Sequence, residues 1–481
     1  MKELLNGSRV GRLSFLTEAE KNHMYEAILT ILSTIGMRVY NDSVLAMMRD
    51  AGCAVSDDGL VTIPRPLVEQ ARESAPSMIE MFDREGRPAM ELGGYNSYFG
   101  TGSDLMYTLD LETGARRKSV LDDIARAGRL CDALPNIDFI MSSAYPSDVD
   151  AHSSYLLSFK AMVENTSKPL VVTAENAGDL KVMCDIASEL RGGPDALRAA
   201  PYFIAYLEPI SPLEHPWESL DKLLLCADTG VPAIYVSAPM AGASAPITTA
   251  GQVAQGLAES LFGLVVHQLR LPGAPFVFGS GLAVLDMVTA QCSYNAVEGL
   301  MAHMVSVEMS RWLDLPNFGF GGTTDSQAVD TQMGLELAEL TFLVMQAGSN
   351  LNHDVGYLDF GLTGSLEQIV ITDEFVDMNR RLLRGVEVTP ETLALDTIAE
   401  VGAGGHFMTQ EHTYTHVRDV QWRPSILNRK GREKWEADGC VDLQEKARRR
   451  AAHLLATHTP EPLAAPLAEK MDALVAGFQR T

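Results

Sequence analysis

Glu208 and His353 are the two side chains best placed to do chemistry, each at the end of a strand-like run. Glu208 follows the apolar run 202–207 and precedes Pro209, and His353 lies in the polar stretch Asn350-Leu351-Asn352-His353-Asp354. A carboxylate attracts a cation, and an imidazole near neutral pH donates, accepts or exchanges a proton. Each also has a plainer use: Glu208 could hold backbone amides at a strand end, and His353 could be a satisfied hydrogen-bonding residue. Asp325 and Ser326, after the run Gly321-Gly322-Thr323-Thr324, suit a functional loop, but equally the cap of a following helix. Phe278, Phe320 and Tyr357 sit near other strand ends. They are candidates for core or rim, or for walls whose ring faces favour a methylated ammonium. His412 and His416 share a face if that segment is helical, yet no glutamate follows the first, so a zinc site there is poorly supported. The chain has no nucleophile elbow, Walker loop or paired-cysteine site, which leaves a conventional hydrolase without support.

These residues must be held by a repeating framework. Strand candidates fall at 137–142, 169–173, 202–207, 233–237, 275–279, 317–321, 350–355 and 367–371, with helical stretches between most of them. Repeated strand–helix units imply parallel strands joined by right-handed crossovers. Eight units over about 250 residues predict an α/β fold, a (β/α)8 TIM barrel whose chemistry sits at the C-terminal strand ends. A doubly wound sheet is the second choice, because no glycine fingerprint for phosphate follows any strand. Residues 1–118 form an N-terminal piece of helices and a small antiparallel element. Thr17-Glu18-Ala19-Glu20 has capping-box spacing, and Gly36 is a natural helix stop. Residues 119–388 are the barrel, and 389–481 a charged helical extension.

The 481 residues carry a net charge of −25, which argues against nucleic acid. No signal-peptide core follows Met1, and no apolar run reaches membrane-spanning length, so a cytoplasmic protein away from membranes is expected. The six cysteines are scattered, as suits reduced, mostly buried thiols rather than a metal knuckle.

The stretch Gly321-Gly322-Thr323-Thr324-Asp325-Ser326-Gln327-Ala328-Val329-Asp330 resembles the signature of the trimethylamine:corrinoid methyltransferase family. So do Tyr98-Phe99-Gly100-Thr101-Gly102, Glu208-Pro209-Ile210-Ser211-Pro212-Leu213 and His353-Asp354-Val355-Gly356-Tyr357-Leu358, in order along the chain. The resemblance implies a TIM barrel that passes a methyl group from an amine to the Co(I) corrinoid of a separate small protein. Its pyrrolysine members hold that residue where this chain has Ala328, so the chain resembles the pyrrolysine-free branch, whose donors are glycine betaine and related quaternary amines. From their strand-end positions, Glu208, Tyr98 and nearby aromatics are expected to surround the ammonium, and His353 to bond a substrate carboxylate if the donor is a betaine. Phe278, Phe320, Asp325, Gln332 and Tyr357 complete the candidate substrate-binding set. No bound metal is expected, and a homo-oligomer is. Two alternatives remain open: a non-catalytic barrel that binds quaternary amines, and a methyltransferase of this fold with another donor or acceptor, such as a folate.

Overall fold

Thr17 caps the first helix, α1 (Glu18–Thr30), with the predicted reciprocal pair: the Glu20 amide donates to Thr17 Oγ1 at 3.3 Å and the Thr17 amide to Glu20 Oε2 at 2.8 Å. Gly36, at φ 85°, ends the helical run. This is a computed structural model describing residues 10–478; Met1–Gly7, the stretch expected to lack a signal peptide, lies outside the described residues.

Seven strands form one parallel sheet: β1 (Tyr98–Thr101), β2 (Leu170–Val172), β3 (Phe203–Leu207), β4 (Ala233–Tyr235), β5 (Phe276–Gly279), β6 (Asn317–Phe320) and β7 (Leu351–Val355). Each of β2 to β7 pairs with the next in sequence, and β7 pairs back onto β1. The remaining gap between β1 and β2 is spanned by residues 139–140 through parallel bridges Gly100↔Phe139 and Ile140↔Leu170. The ring is thereby closed as an α/β barrel. Two expectations are corrected. The run 367–371 is no strand but the start of the helix Leu366–Leu383, and the first strand of the barrel is 98–101. The β-branched run 369–371 reads as strand-like because this helix is buried on nearly every face, between the helices Thr331–Ala347 and Leu443–Thr457. Burial all round erases the amphipathic period that marks a surface helix. Its Ser365 cap, accepting from the Gln368 amide at 3.2 Å, settles the start.

Strand alternation sorts the barrel residues. Val277 joins Phe139, Val171, Ile204, Ile234, Phe318 and Leu351 inside the barrel, while its neighbours Phe276 and Phe278 join the outer core beneath the helices. The antiparallel hairpin Ile79–Phe82 with Pro88–Leu92 plugs the N-terminal end, adding Ile79, Met81, Met90 and Leu92 to the interior cluster. Burial of each such side chain contributes about 1.5–3 kcal/mol. Of the C-terminal helices, Leu443–Thr457 buries Ala447, Ala451 and Leu454, and Ala465–Gly477 buries Met471. All six cysteines are free, four of them buried. Among the described residues no helix is long and apolar enough to cross a membrane.

Candidate active site at the barrel mouth

With one end plugged, the open end is where the strands finish, and the alternation continues there. On β3 the inward positions after Ile204 are Tyr206 and then, one step past the strand, Glu208. The Tyr206 hydroxyl donates directly to Glu208 Oε1. On β7, Leu351 is followed inward by His353, whose ring stacks on Phe318 at a centroid distance of 4.3 Å. Tyr206 lies 6.2 Å from the same imidazole, and Phe320 another 6.2 Å. Tyr294 meets Phe320 edge-on at 5.4 Å. Aromatic rings thus line the upper interior, with Glu208, His353, Tyr206 and Tyr294 each partly open to solvent.

Two aspartates complete the mouth. Asp354, next to last in β7, has a left-handed φ of 70°, and Asp104 follows β1 with φ 64°. Such conformations cost about 1–3 kcal/mol each in non-glycine residues and persist where the surroundings impose them. The close approach of Gly102 allows it: a Cβ there would overlap the Asp354 carboxylate and the Tyr357 ring. Tyr357 in turn donates from its hydroxyl to the Ser103 carbonyl.

The electrostatics are those of carboxyls removed from water. Burial pushes Asp354 well above the usual carboxylate range, and the Glu208 charge adds to the effect. Burial also raises Glu208, assisted by Asp104 and opposed by the Tyr206 hydroxyl and Lys222. Asp104 keeps some solvent access, yet lies deep enough in the concavity for desolvation to raise it to about 6. His353 is lowered to about 4 by burial. Its Nδ1 lies 2.9 Å from the Gly319 carbonyl and its Nε2 3.2 Å from Asp354 Oδ1. A carbonyl only accepts, so Nδ1 carries the hydrogen and Nε2 offers a lone pair. Burial raises the Asp354 carboxyl, which favours a proton on the oxygen that faces this lone pair.

The remaining candidates fall elsewhere. Tyr98, first in β1, is at the plugged end, where its hydroxyl accepts from the Glu91 amide at 3.1 Å. Phe278 faces the outer core. Asp325 does not cap a helix: its carboxylate accepts from Ser293 Oγ and, at 3.1 Å, from the Tyr294 amide, so it places Tyr294. The cap of the next helix, Thr331–Ala347, is Asp330, bonded to the Met333 amide at 3.0 Å. Gln332 is exposed and donates to Glu336 at 2.8 Å, and Glu336 accepts from the Asp325 amide at 2.9 Å. Gln332 therefore supports the loop from outside. Ala328 lies exposed on that loop. Glu208, His353, Phe320 and Tyr357 do converge, joined by Tyr206, Asp104, Asp354 and Tyr294. Of these, Tyr206 was available from the two-residue period ahead of Glu208; Asp104 was hidden by the misplaced first strand. His412 and His416 stack one turn apart at 4.3 Å, with His416 3.4 Å from Glu391. Among the described residues no group of three or more His, Cys, Asp or Glu side chains is arranged to hold a metal.

The structure is thus a closed α/β barrel whose open end joins aromatic rings to carboxyls. The trimethylamine methyltransferase family model matches residues 5–480, and the chain belongs to that family of enzymes. It is 30% identical to the trimethylamine methyltransferase MttB of Desulfitobacterium hafniense strain DCB-2, covering 96% of this chain and 93% of the relative. It is 28% identical to the glycine betaine methyltransferase of strain Y51 of that organism, covering 98% of each. The Methanosarcina barkeri monomethylamine methyltransferase structure superimposes with a TM-score of 0.54 at 11% identity, over 93% of this chain and 88% of that one, which bears out the barrel fold.

Proposed function

We propose that the enzyme transfers a methyl group from a quaternary amine to the Co(I) corrinoid of a partner protein, without pyrrolysine. The observation that carries this reading is the mouth itself: Asp104, Glu208 and Asp354 beside Tyr206, Tyr294, Tyr357 and Phe318, with Ala328 in the loop that holds pyrrolysine in part of the family. A methylated ammonium has no N–H to donate, so it is held by ring faces and by charge. The corrinoid supplies the nucleophile. The nitrogen already bears its positive charge, so the C–N electron pair returns to it and a neutral tertiary amine leaves with no proton required. The protein's part is to hold the ammonium against Glu208 and the rings, keep water from it, and point one methyl out through the open end. His353 and Asp354, bonded to each other, fix the wall on which Phe318 stacks.

The test is methylation of reduced Co(I) corrinoid, followed by its visible absorption, with quaternary amines and trimethylamine as donors. Methylation by a quaternary amine and not by trimethylamine is expected. Binding of a quaternary amine with no methylation by any donor refutes the reading in favour of a binding protein.

A further inference from the structure

The mouth has three carboxyls for one cation, and several of its hydrogen-bond donors are committed to protein acceptors. Of the two His353 nitrogens, Nδ1 donates to Gly319 O and Nε2 lies 3.2 Å from Asp354 Oδ1. The Tyr206 and Tyr357 hydroxyls donate to Glu208 and to the Ser103 carbonyl. Lys222, the cation whose charge acts on both Glu208 and Asp104, is only 8% exposed and gives a hydrogen to the Ala174 carbonyl at 2.6 Å. Arg116, on the adjoining layer, is committed to Asp359 at 3.1 Å and Thr363 at 2.9 Å, with its guanidinium 3.5 Å over the Tyr107 ring. A substrate carboxylate two bonds from the nitrogen would face the charges of Glu208 and Asp104. A hydroxyl or a plain alkyl arm would meet acceptors or rings.

Resting on the quaternary-amine reading above, we propose that this enzyme selects quaternary ammonium ions with an uncharged arm, choline or tetraalkylammonium in type, and rejects betaines with a carboxylate close to the nitrogen. Glu208 and Asp104 are the specificity-determining residues: each attracts the head group and repels a nearby anion. The resemblance to betaine-using relatives extends to the cationic head and stops at the arm.

Titration calorimetry on the full chain at pH 7.5, with tetramethylammonium, choline and glycine betaine, tests this without any corrinoid. Choline and tetramethylammonium are expected to bind more tightly than glycine betaine by on the order of 100-fold, the factor one like-charge contact at ~5 Å carries in a half-buried site. Glu208→Gln, which keeps the shape, weakens choline and narrows that ratio about tenfold or more; Asp104→Asn acts in the same direction. Glycine betaine binding as tightly as choline overturns the proposal while leaving quaternary-amine methyl transfer standing. An unchanged ratio in both variants overturns the roles of Glu208 and Asp104. If none of the three cations binds, the quaternary-amine reading falls, and the selectivity with it.

Discussion

The carboxyls of the mouth make cation binding a proton-releasing reaction, and Asp104 sets its measurable range. Desolvation raises this carboxyl to about 6, against the Ser103 hydroxyl and the Lys222 charge, which both favour ionisation. An ammonium arriving beside it favours the charged form, so the bound state carries fewer protons than the free one. The sign follows: affinity is full above pH 6 and falls as the pH drops through it. Between pH 7.5 and 5.5 the ionised share of a group with a pKa of about 6 falls from about 0.97 to about 0.24, so the dissociation constant rises about fourfold. At pH 6 binding releases about half a proton from Asp104, and any proton from Glu208 or Asp354 adds to it. Tetramethylammonium is the right probe, because it has no group that titrates. Calorimetry at pH 6 in two buffers of different ionisation enthalpy measures the released proton, and the same titrations from pH 5.5 to 7.5 give the slope. Asp104→Asn flattens the slope and removes its share of the released proton. Identical heats in both buffers, with an affinity constant across the range, would refute the argument: the carboxyls would then be ionised before the ligand arrives, and burial would not dominate them.

Three further outcomes follow from particular contacts. His215, His267, His303 and His353 are lowered by burial to about 3, 4, 3 and 4 from 6.5. The unfolded chain therefore takes up protons first, and stability is full above pH 6.5 and lost below it. At pH 5.5 the loss is about 1.4 kcal/mol per histidine, about 5.5 kcal/mol from the four; Asp104 and Asp373, each raised to about 6, offset less than about 1 kcal/mol apiece, and Asp354 and Glu208, also raised by burial, offset it further. Chemical denaturation at pH 7.5 and 5.5 measures the net difference, and a chain more stable at pH 5.5 contradicts the dominance of the histidines. Gly102→Ala forces its methyl into Asp354 and Tyr357; we expect a cost of about 1–3 kcal/mol in stability and more than about tenfold in methyl transfer, read by melting and by corrinoid absorption. Ala328→Ser, on the exposed loop, is expected to change stability by less than about 0.5 kcal/mol and leave methyl transfer intact; a large loss of transfer would place this position in contact with substrate.

The sequence alone determined the elements whose causes are local. The Thr17–Glu20 box is a matter of four adjacent residues, and the parallel-strand texture of 202–207 or 317–321 is a matter of composition and period. Given strand ends, the positions of Glu208, His353 and Tyr357 at one mouth also follow. Neighbouring strands decided the rest. The short run 98–101 becomes β1 because β7 and Phe139 flank it, and 367–371 becomes helical because two other helices cover it. Tyr98 and Phe278 have the right chemistry for an ammonium wall, but one is at the plugged end and the other on the outer face of its strand. Most of all, the order of donors in the mouth belongs to the tertiary structure. Whether His353 can offer an N–H to a substrate depends on Gly319, 34 residues away, and on the neighbouring Asp354 carboxyl, which burial raises. Burial and hydrogen-bond direction are properties of the assembled barrel, and no pattern within a single segment encodes them.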